Sequence, residues 1–217
     1  MPLILPSMLC ADPMNMARDV AALEAAGIEM LHIDVMDGQF VPNIAIGFHV
    51  IDALANATNL KLDVHLMVDN PQDFIARLAG KAHAISFHYE AVNFPLKLLR
   101  TIREVGALAG IAIGPGTDAR LLEPLLPHLD FVLCMTVEPG FAGQKFIDSA
   151  LQNFDILTNL REKHGYSFII QVDGNVGANN INTCIDHGAE WLVVGANLFP
   201  PDGNINGAVQ ALHNAMQ

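Results

Sequence analysis

Cysteine is scarce in this chain, and that scarcity already narrows what the protein can be. Among 217 residues there are three, Cys10, Cys134 and Cys184, odd in number, widely spaced and without a Cys-x-x-Cys pair, which argues against a disulfide framework and against a thiolate zinc site. They read as small core hydrophobes. Positive charge is scarce as well: 11 lysines and arginines stand against 23 aspartates and glutamates, a formal net charge of -12. With no basic run and no interleaving of basic and aromatic residues, neither nucleic acid nor a membrane surface is expected as a partner. An anionic ligand would have to be held by local backbone geometry. No apolar run approaches the roughly 18 residues of a membrane span. The opening Met-Pro-Leu-Ile-Leu-Pro-Ser lacks the basic n-region and small-residue cleavage site of a signal peptide, so a cytoplasmic location is expected. Low-complexity segments and composition shifts are also missing, and one domain over residues 1–217 is the expectation.

What the chain does have is apolar material, 52% of residues against 16% charged. That suffices for a large core with enough left over for a subunit interface, so a homo-oligomer is expected. The apolar runs at 3–5, 30–36, 62–67, 84–88, 107–113, 131–135, 168–172 and 191–194 read as strands. Between them lie helix-period stretches at 15–26, 48–55, 71–78, 95–105, 118–126, 147–163, 178–187 and 207–216. Regular alternation of this kind belongs to the α/β class with a parallel sheet, and about eight units predict closure into a (β/α)8 barrel.

Chemistry on such a barrel sits at the carboxyl ends of the strands. Ser7 ends the first strand, the second carries His32 and Asp34, the third Asp63 and His65, and the seventh ends in Asp173. Period-two geometry puts His32 and Asp34 on one face, and likewise Asp63 and His65. Buried polar pairs need partners, so each pair is either hydrogen-bonded within itself or bound to a divalent metal. The convergence of both pairs with Asp173 favours the metal. His32, Asp34, His65 and Asp173 would supply a mixed nitrogen and oxygen shell suited to zinc, iron, manganese or cobalt, with Asp63 behind them to orient an imidazole. His88, at the end of the fourth strand, is a further histidine placed to line the pocket. Met8, Met36, Met67 and Met135 fall at strand ends, as gap fillers or as an oily lid that excludes water. Gly140, Gly143, Gly174 and Gly195 lie in loops where backbone N–H groups can approach a phosphate without a lysine. No lysine ends a strand, which argues against lyase chemistry of the kind that needs one there.

These residues fall in motifs. Pro6-Ser7, the run from His32 to Asn43 (His-Ile-Asp-Val-Met-Asp-Gly-Gln-Phe-Val-Pro-Asn), Asp63-Val-His-Leu-Met67, Pro139-Gly-Phe-Ala-Gly-Gln144 and Val172-Asp-Gly174 strongly resemble the ribulose-phosphate 3-epimerase family, with the likeness running from the first strand to the eighth. The resemblance implies a barrel enzyme, an isomerase that interconverts D-ribulose 5-phosphate and D-xylulose 5-phosphate by two-base proton transfer at C3 through a metal-stabilised enediolate. It implies one divalent metal on His32, Asp34, His65 and Asp173, with Asp34 and Asp173 as the acid/base pair. Ser7 would touch the sugar, Met36, Met67 and Met135 would cap the intermediate, and Gly143, Gly174 and Gly195 would help bind phosphate.

The chain departs from the family pattern at Gly114-Pro115, Glu138-Pro139-Gly140, Gly174-Asn175 and Gly195-Ala196. Ala196 lacks a serine hydroxyl that would donate to phosphate, and Asn175 or Asn197 would have to compensate. The altered loops leave the sugar open to a rival such as D-allulose 6-phosphate. A sugar-phosphate-binding relative without catalysis is opposed by the intact Asp34 and Asp173.

Overall fold

The computed structural model describes residues 2–216, so the two end residues of the expected 1–217 domain lie outside the described residues. In chain order the elements are β1 (Leu3–Pro6), α1 (Met16–Ala25), β2 (Met30–Asp37), β3 (Ile44–Ala45), α2 (Phe48–Ala57), β4 (Lys61–Met67), α3 (Gln72–Leu78), β5 (Ala84–His88), α4 (Pro95–Glu104), β6 (Leu108–Ile113), β7 (Phe131–Met135), α5 (Leu151–His164), β8 (Ile169–Asp173), α6 (Ile181–Asp186), β9 (Trp191–Val194) and α7 (Ile205–Ala215). The sheet runs β1-β9-β8-β7-β6-β5-β4-β2-β3, parallel at every step except the last. A parallel bridge between Ser7 and His32 joins the start of β2 to the end of β1. Eight parallel staves therefore close on themselves, as the strand and helix alternation predicts.

Two local expectations are corrected. The helix predicted over 118–126 is replaced by two 3-10 turns, Ala119–Leu122 and Leu126–His128. Pro124 and Pro127 each remove a backbone N–H and crowd the carbonyl one turn back, so an α-helix cannot propagate through them. Asp118 still caps the first turn, accepting the Arg120 N–H at 2.9 Å. The loop after β2 also contains a strand: β3 folds back so that Met36 pairs with Ala45 and Asp37 with Ile44. Two residues are too few to show a period.

Alternation along each stave divides the core. Outward residues such as Leu31, Ile33, Val64, Phe87, Val132 and Ile170 pack under the helices. Inward residues at the amino ends, Leu5, Met30, Ala84, Phe131, Trp191 and Val193, form a plug inside the barrel. The Phe131 ring lies 5.3 Å from that of Trp191 and directly over Gly110, where a Cβ would sit 2.3 Å from the ring. Burying Phe131 contributes on the order of 2–3 kcal/mol, and only a residue without a side chain leaves room for it. The plug leaves the polar inward residues accessible from the carboxyl ends alone.

Candidate metal and substrate site

Above the plug, the β2–β4 register sets His32 beside Asp63 and Asp34 beside His65. Together with Asp173 at the end of β8, His32, Asp34 and His65 bring one ligating atom each to within 4.8 Å of the others. His32 Nε2 lies 3.3 Å from Asp34 Oδ1 and 3.7 Å from Asp173 Oδ2. His65 Nδ1 lies 3.4 and 3.7 Å from the same two oxygens. Both imidazoles are fully buried, yet neither of these nitrogens has a hydrogen-bond partner. Leaving a buried polar atom unpaired costs about 1–3 kcal/mol. Two orphaned nitrogens and two carboxylate oxygens aimed at one point fit a divalent cation of borderline softness.

The groups behind the imidazoles set which nitrogen faces the cluster. Asp63 Oδ2 accepts the His32 Nδ1 proton at 2.7 Å and the Gln171 Nε2 proton at 2.6 Å, which leaves the His32 Nε2 lone pair pointing inward. Asp63 thus stands where strand parity put it. Gln171 escaped the sequence reading, although its place two residues before Asp173 gives it the same inward face. His65 turns its Nε2 to His88 Nε2 at 2.9 Å. His88 is fully buried behind His65 and does not line the cleft.

Electrostatics differ sharply between the two acid/base candidates. Burial would raise the Asp34 carboxyl, but the His32 and His65 imidazoles beside it hold it well below the usual carboxylate range. Ser7 Oγ adds a hydrogen bond of 2.6 Å to Asp34 Oδ2. At Asp173 burial and then repulsion from Asp34 outweigh the attraction of the His32 imidazole and push it up to about 7. For His32, burial works against the charged form and is outweighed by Asp34 and Asp63, so its imidazole is raised. His65 is lowered: burial dominates, the Asp34 carboxylate opposes it, and repulsion from the His32 imidazole adds to the lowering.

One cleft opens over the cluster. Its wall includes Ser7, Met36, Met67, Met135, Gly140, Gly143, Gly174, Asn175, Gly195, Ala196 and Asn197 with Asp34 and Asp173, and Glu138 of the departing loop, and also Cys10, Phe141 and Gln144, to which the sequence had given no role. Met36 and Met67 pack with Val41, whereas Met135 packs with Ala112, Leu133 and Val137. Met8 is different: it lies in a 3-10 turn and is buried in the outer core under the helices, away from the cleft. Asn197 donates one of its two amide protons to the Val176 carbonyl at 2.9 Å, which holds its side chain against the loop after β8. Asn175 sits at φ +51, in the left-handed region that Asn tolerates better than most residues.

Residues 3–199 match the profile of the Ribulose-phosphate 3 epimerase family. The chain belongs to this family. A member of it is an enzyme of the isomerase class. Among curated relatives, the chain is 38% identical over 200 residues to the ribulose-phosphate 3-epimerase of Aquifex aeolicus, covering 92% of this chain and 90% of that one. It is 38% identical to that of Bacillus subtilis, covering 90% and 91%, and 41% identical to the chloroplastic ribulose-5-phosphate-3-epimerase of Arabidopsis thaliana, covering 91% and 71%. Solved structures extend the likeness of fold beyond the family: a 3-hexulose-6-phosphate synthase superposes with TM-score 0.70 at 16% identity over the whole of both chains. A tryptophan synthase α-subunit mutant from Pyrococcus furiosus does so with TM-score 0.72 at 14% identity, covering 98% of each.

Proposed function

We propose that this family member is a metal-dependent 3-epimerase that interconverts D-ribulose 5-phosphate and D-xylulose 5-phosphate by two-base proton transfer at C3. The observation that carries the reading is the pairing of two buried, orphaned imidazole nitrogens with two carboxylates of opposite charge preference. A divalent ion held by His32, Asp34, His65 and Asp173 supplies Lewis-acid stabilisation of the negative charge that develops on the ketose oxygens when the C3 proton leaves. Asp34, held ionised and oriented by Ser7, is equipped to take that proton from one face. Asp173, across the cluster at the end of β8, is equipped to return one from the opposite face, and the reverse reaction exchanges the two roles. The Ser7 oxygen keeps its lone pairs for a sugar hydroxyl.

Met36, Met67 and Met135 form the apolar side of the cleft and exclude water from the planar enediolate. Gly140, Gly143, Gly174, Gly195, Ala196 and Asn175 offer close backbone approach to the phosphate, with Asn197 acting on loop shape through Val176. Glu138 in the same wall adds negative charge near the phosphate loops and keeps D-allulose 6-phosphate as the rival sugar. Three free cysteines among the described residues support a reducing, cytoplasmic location, and the apolar surplus supports a homo-oligomer.

The deciding experiment follows solvent deuterium into C3 of ribulose 5-phosphate and of allulose 6-phosphate, with metal analysis of protein purified without chelators. Exchange with the pentose in metal-loaded protein is expected, and loss of epimerase turnover in Asp34→Asn and Asp173→Asn. Near-normal turnover in either variant at full metal occupancy would refute the two-base assignment. A large preference for the hexose in kcat/KM would replace the substrate.

A further inference from the structure

The two imidazoles of the cluster present opposite nitrogens to it, His32 its Nε2 and His65 its Nδ1. For His32 the reason is Asp63 at its back. His65 has no carboxylate at its back; it has another imidazole. His88 Nε2 stands 2.9 Å from His65 Nε2, and a nitrogen pair at that distance holds one proton, so one ring donates and the other accepts. The far side of His88 decides which. Its Nδ1 lies 3.1 Å from Glu90 Oε2, a carboxylate that can only accept, so the His88 proton sits on Nδ1 and its Nε2 must accept from His65. Glu90 is fixed in turn, its Oε1 accepting the Gly114 N–H at 2.7 Å and the Thr117 hydroxyl. The Phe40 ring, 4.8 Å from that of His88, packs against the second imidazole.

We propose that His88 and Glu90 are positioning residues which fix His65 with its proton on Nε2, keeping the Nδ1 lone pair free for the divalent ion. The proton order runs inward from the loop after β6 through two imidazoles: the loop donates to Glu90, His88 donates to Glu90, and His65 donates to His88. Without an acceptor at His88, the His65 proton gains nothing from staying on Nε2 and can move to Nδ1, where Asp34 Oδ1 waits at 3.4 Å. That tautomer removes one ligand. Glu90 also has a property no amide can reproduce, since it accepts on both oxygens. A glutamine there must turn its NH2 group either toward the Gly114 N–H or toward His88 Nδ1. The second choice reverses the proton order and sends the His65 proton to the metal side.

The inference rests on reading the cluster as a metal centre, and the test separates the two. Zinc-loaded protein is titrated with a chromophoric chelator, for wild type, His88→Phe, His88→Gln and Glu90→Gln. Thermal unfolding checks each fold, and nitrogen-15 spectra of the histidine rings in chelated protein report the His65 tautomer. His88→Phe is expected to weaken zinc binding about 10–100-fold, the range for loss of a group behind a ligand, and to move the His65 proton from Nε2. His88→Gln, whose carbonyl can accept from His65, recovers most of the affinity. Glu90→Gln, at a partly exposed residue, weakens binding with little change in unfolding temperature, so the proposal stays open to refutation if His88→Phe does not fold. Wild-type zinc affinity in both Glu90→Gln and the folded His88 variants, or an unchanged His65 tautomer, overturns the positioning role while leaving the metal reading intact. A wild-type protein that holds none of zinc, iron, manganese and cobalt overturns both.

Discussion

Replacing Gly174 by alanine isolates how the end of β8 is held. Gly174 follows Asp173 and adopts φ +135, where a residue with a Cβ is strained by roughly 1–3 kcal/mol. The added atom would stand 2.6 Å from Thr136 Oγ1, 2.7 Å from the Val137 nitrogen and 2.9 Å from the Thr136 carbonyl carbon. Two of those three are backbone atoms and cannot swing aside. Relief requires the ends of β7 and β8 to separate, at about 1–3 kcal/mol for overpacking of this kind. The movement opposes a clamp in which Thr136 N donates to the Asp173 carbonyl at 2.8 Å and Thr136 Oγ1 to the Gly174 carbonyl at 2.7 Å. The expected cost is therefore about 2–6 kcal/mol, a large part of a typical stability of about 5–15 kcal/mol. Gly143→Ala is the control: φ is +80 and nothing lies within 4 Å, so only the backbone penalty of roughly 1–2 kcal/mol applies. Urea unfolding followed by the fluorescence of Trp191, the single tryptophan, measures both. If Gly174→Ala cost no more than Gly143→Ala, the steric clamp would not exist and the placement of Asp173 would need another explanation.

Asp63→Asn removes the charge behind His32 and is expected to weaken divalent metal binding about 10–100-fold; unchanged chelator competition would count against the role of Asp63. Cys134 and Cys184 are pushed up by burial, the latter to about 12. A thiol reagent at pH 8 should spare both in folded protein, react slowly at Cys10 in the cleft wall, and reach all three in urea; rapid labelling of two or more would contradict the packing. The Asp37 carboxylate accepts the N–H groups of Gln39, Phe40 and Asp69 at 2.8, 3.0 and 2.8 Å, which outweighs its partial burial and lowers its pKa. Because the folded value lies below the unfolded one of about 3.9, its stabilisation is present above that pH and is lost as pH falls through the folded value. Asp37→Asn should cost about 1–2 kcal/mol at pH 7 and clearly less at pH 2, and an equal cost at both would show that charge is irrelevant there.

Much of the cluster was legible because strand alternation converts spacing directly into side-chain direction. His32, Asp34, Asp63 and His65 needed no knowledge of what lies across the barrel. Gln171 and His88 share that parity, but their significance depends on which stave faces which ring, and spacing along one strand says nothing of this. The two prolines that abolish the helix after β6 stand openly in the sequence; apolar periodicity over 118–126 hid their effect because Pro124 lies inside the pattern and Pro127 directly after it. Met8 shows the reverse limit, since its place near a strand end matches the other methionines while a 3-10 turn swings it into the outer core. Asn197 was a candidate phosphate donor by position, and only the location of the Val176 carbonyl reveals that one of its two amide protons is already engaged.

The bridge between Ser7 and His32 gives the barrel wall a thin line. Other neighbouring staves share runs of paired residues, whereas β1 and β2 meet in a single bridge, reinforced by the Ser7 hydroxyl reaching Asp34. Both residues on the β2 side of that seam belong to the cluster. Filling the cluster would therefore tie the seam from within, so that an occupied site acts as a rivet in the wall and an empty one leaves a place from which the cylinder can begin to unzip.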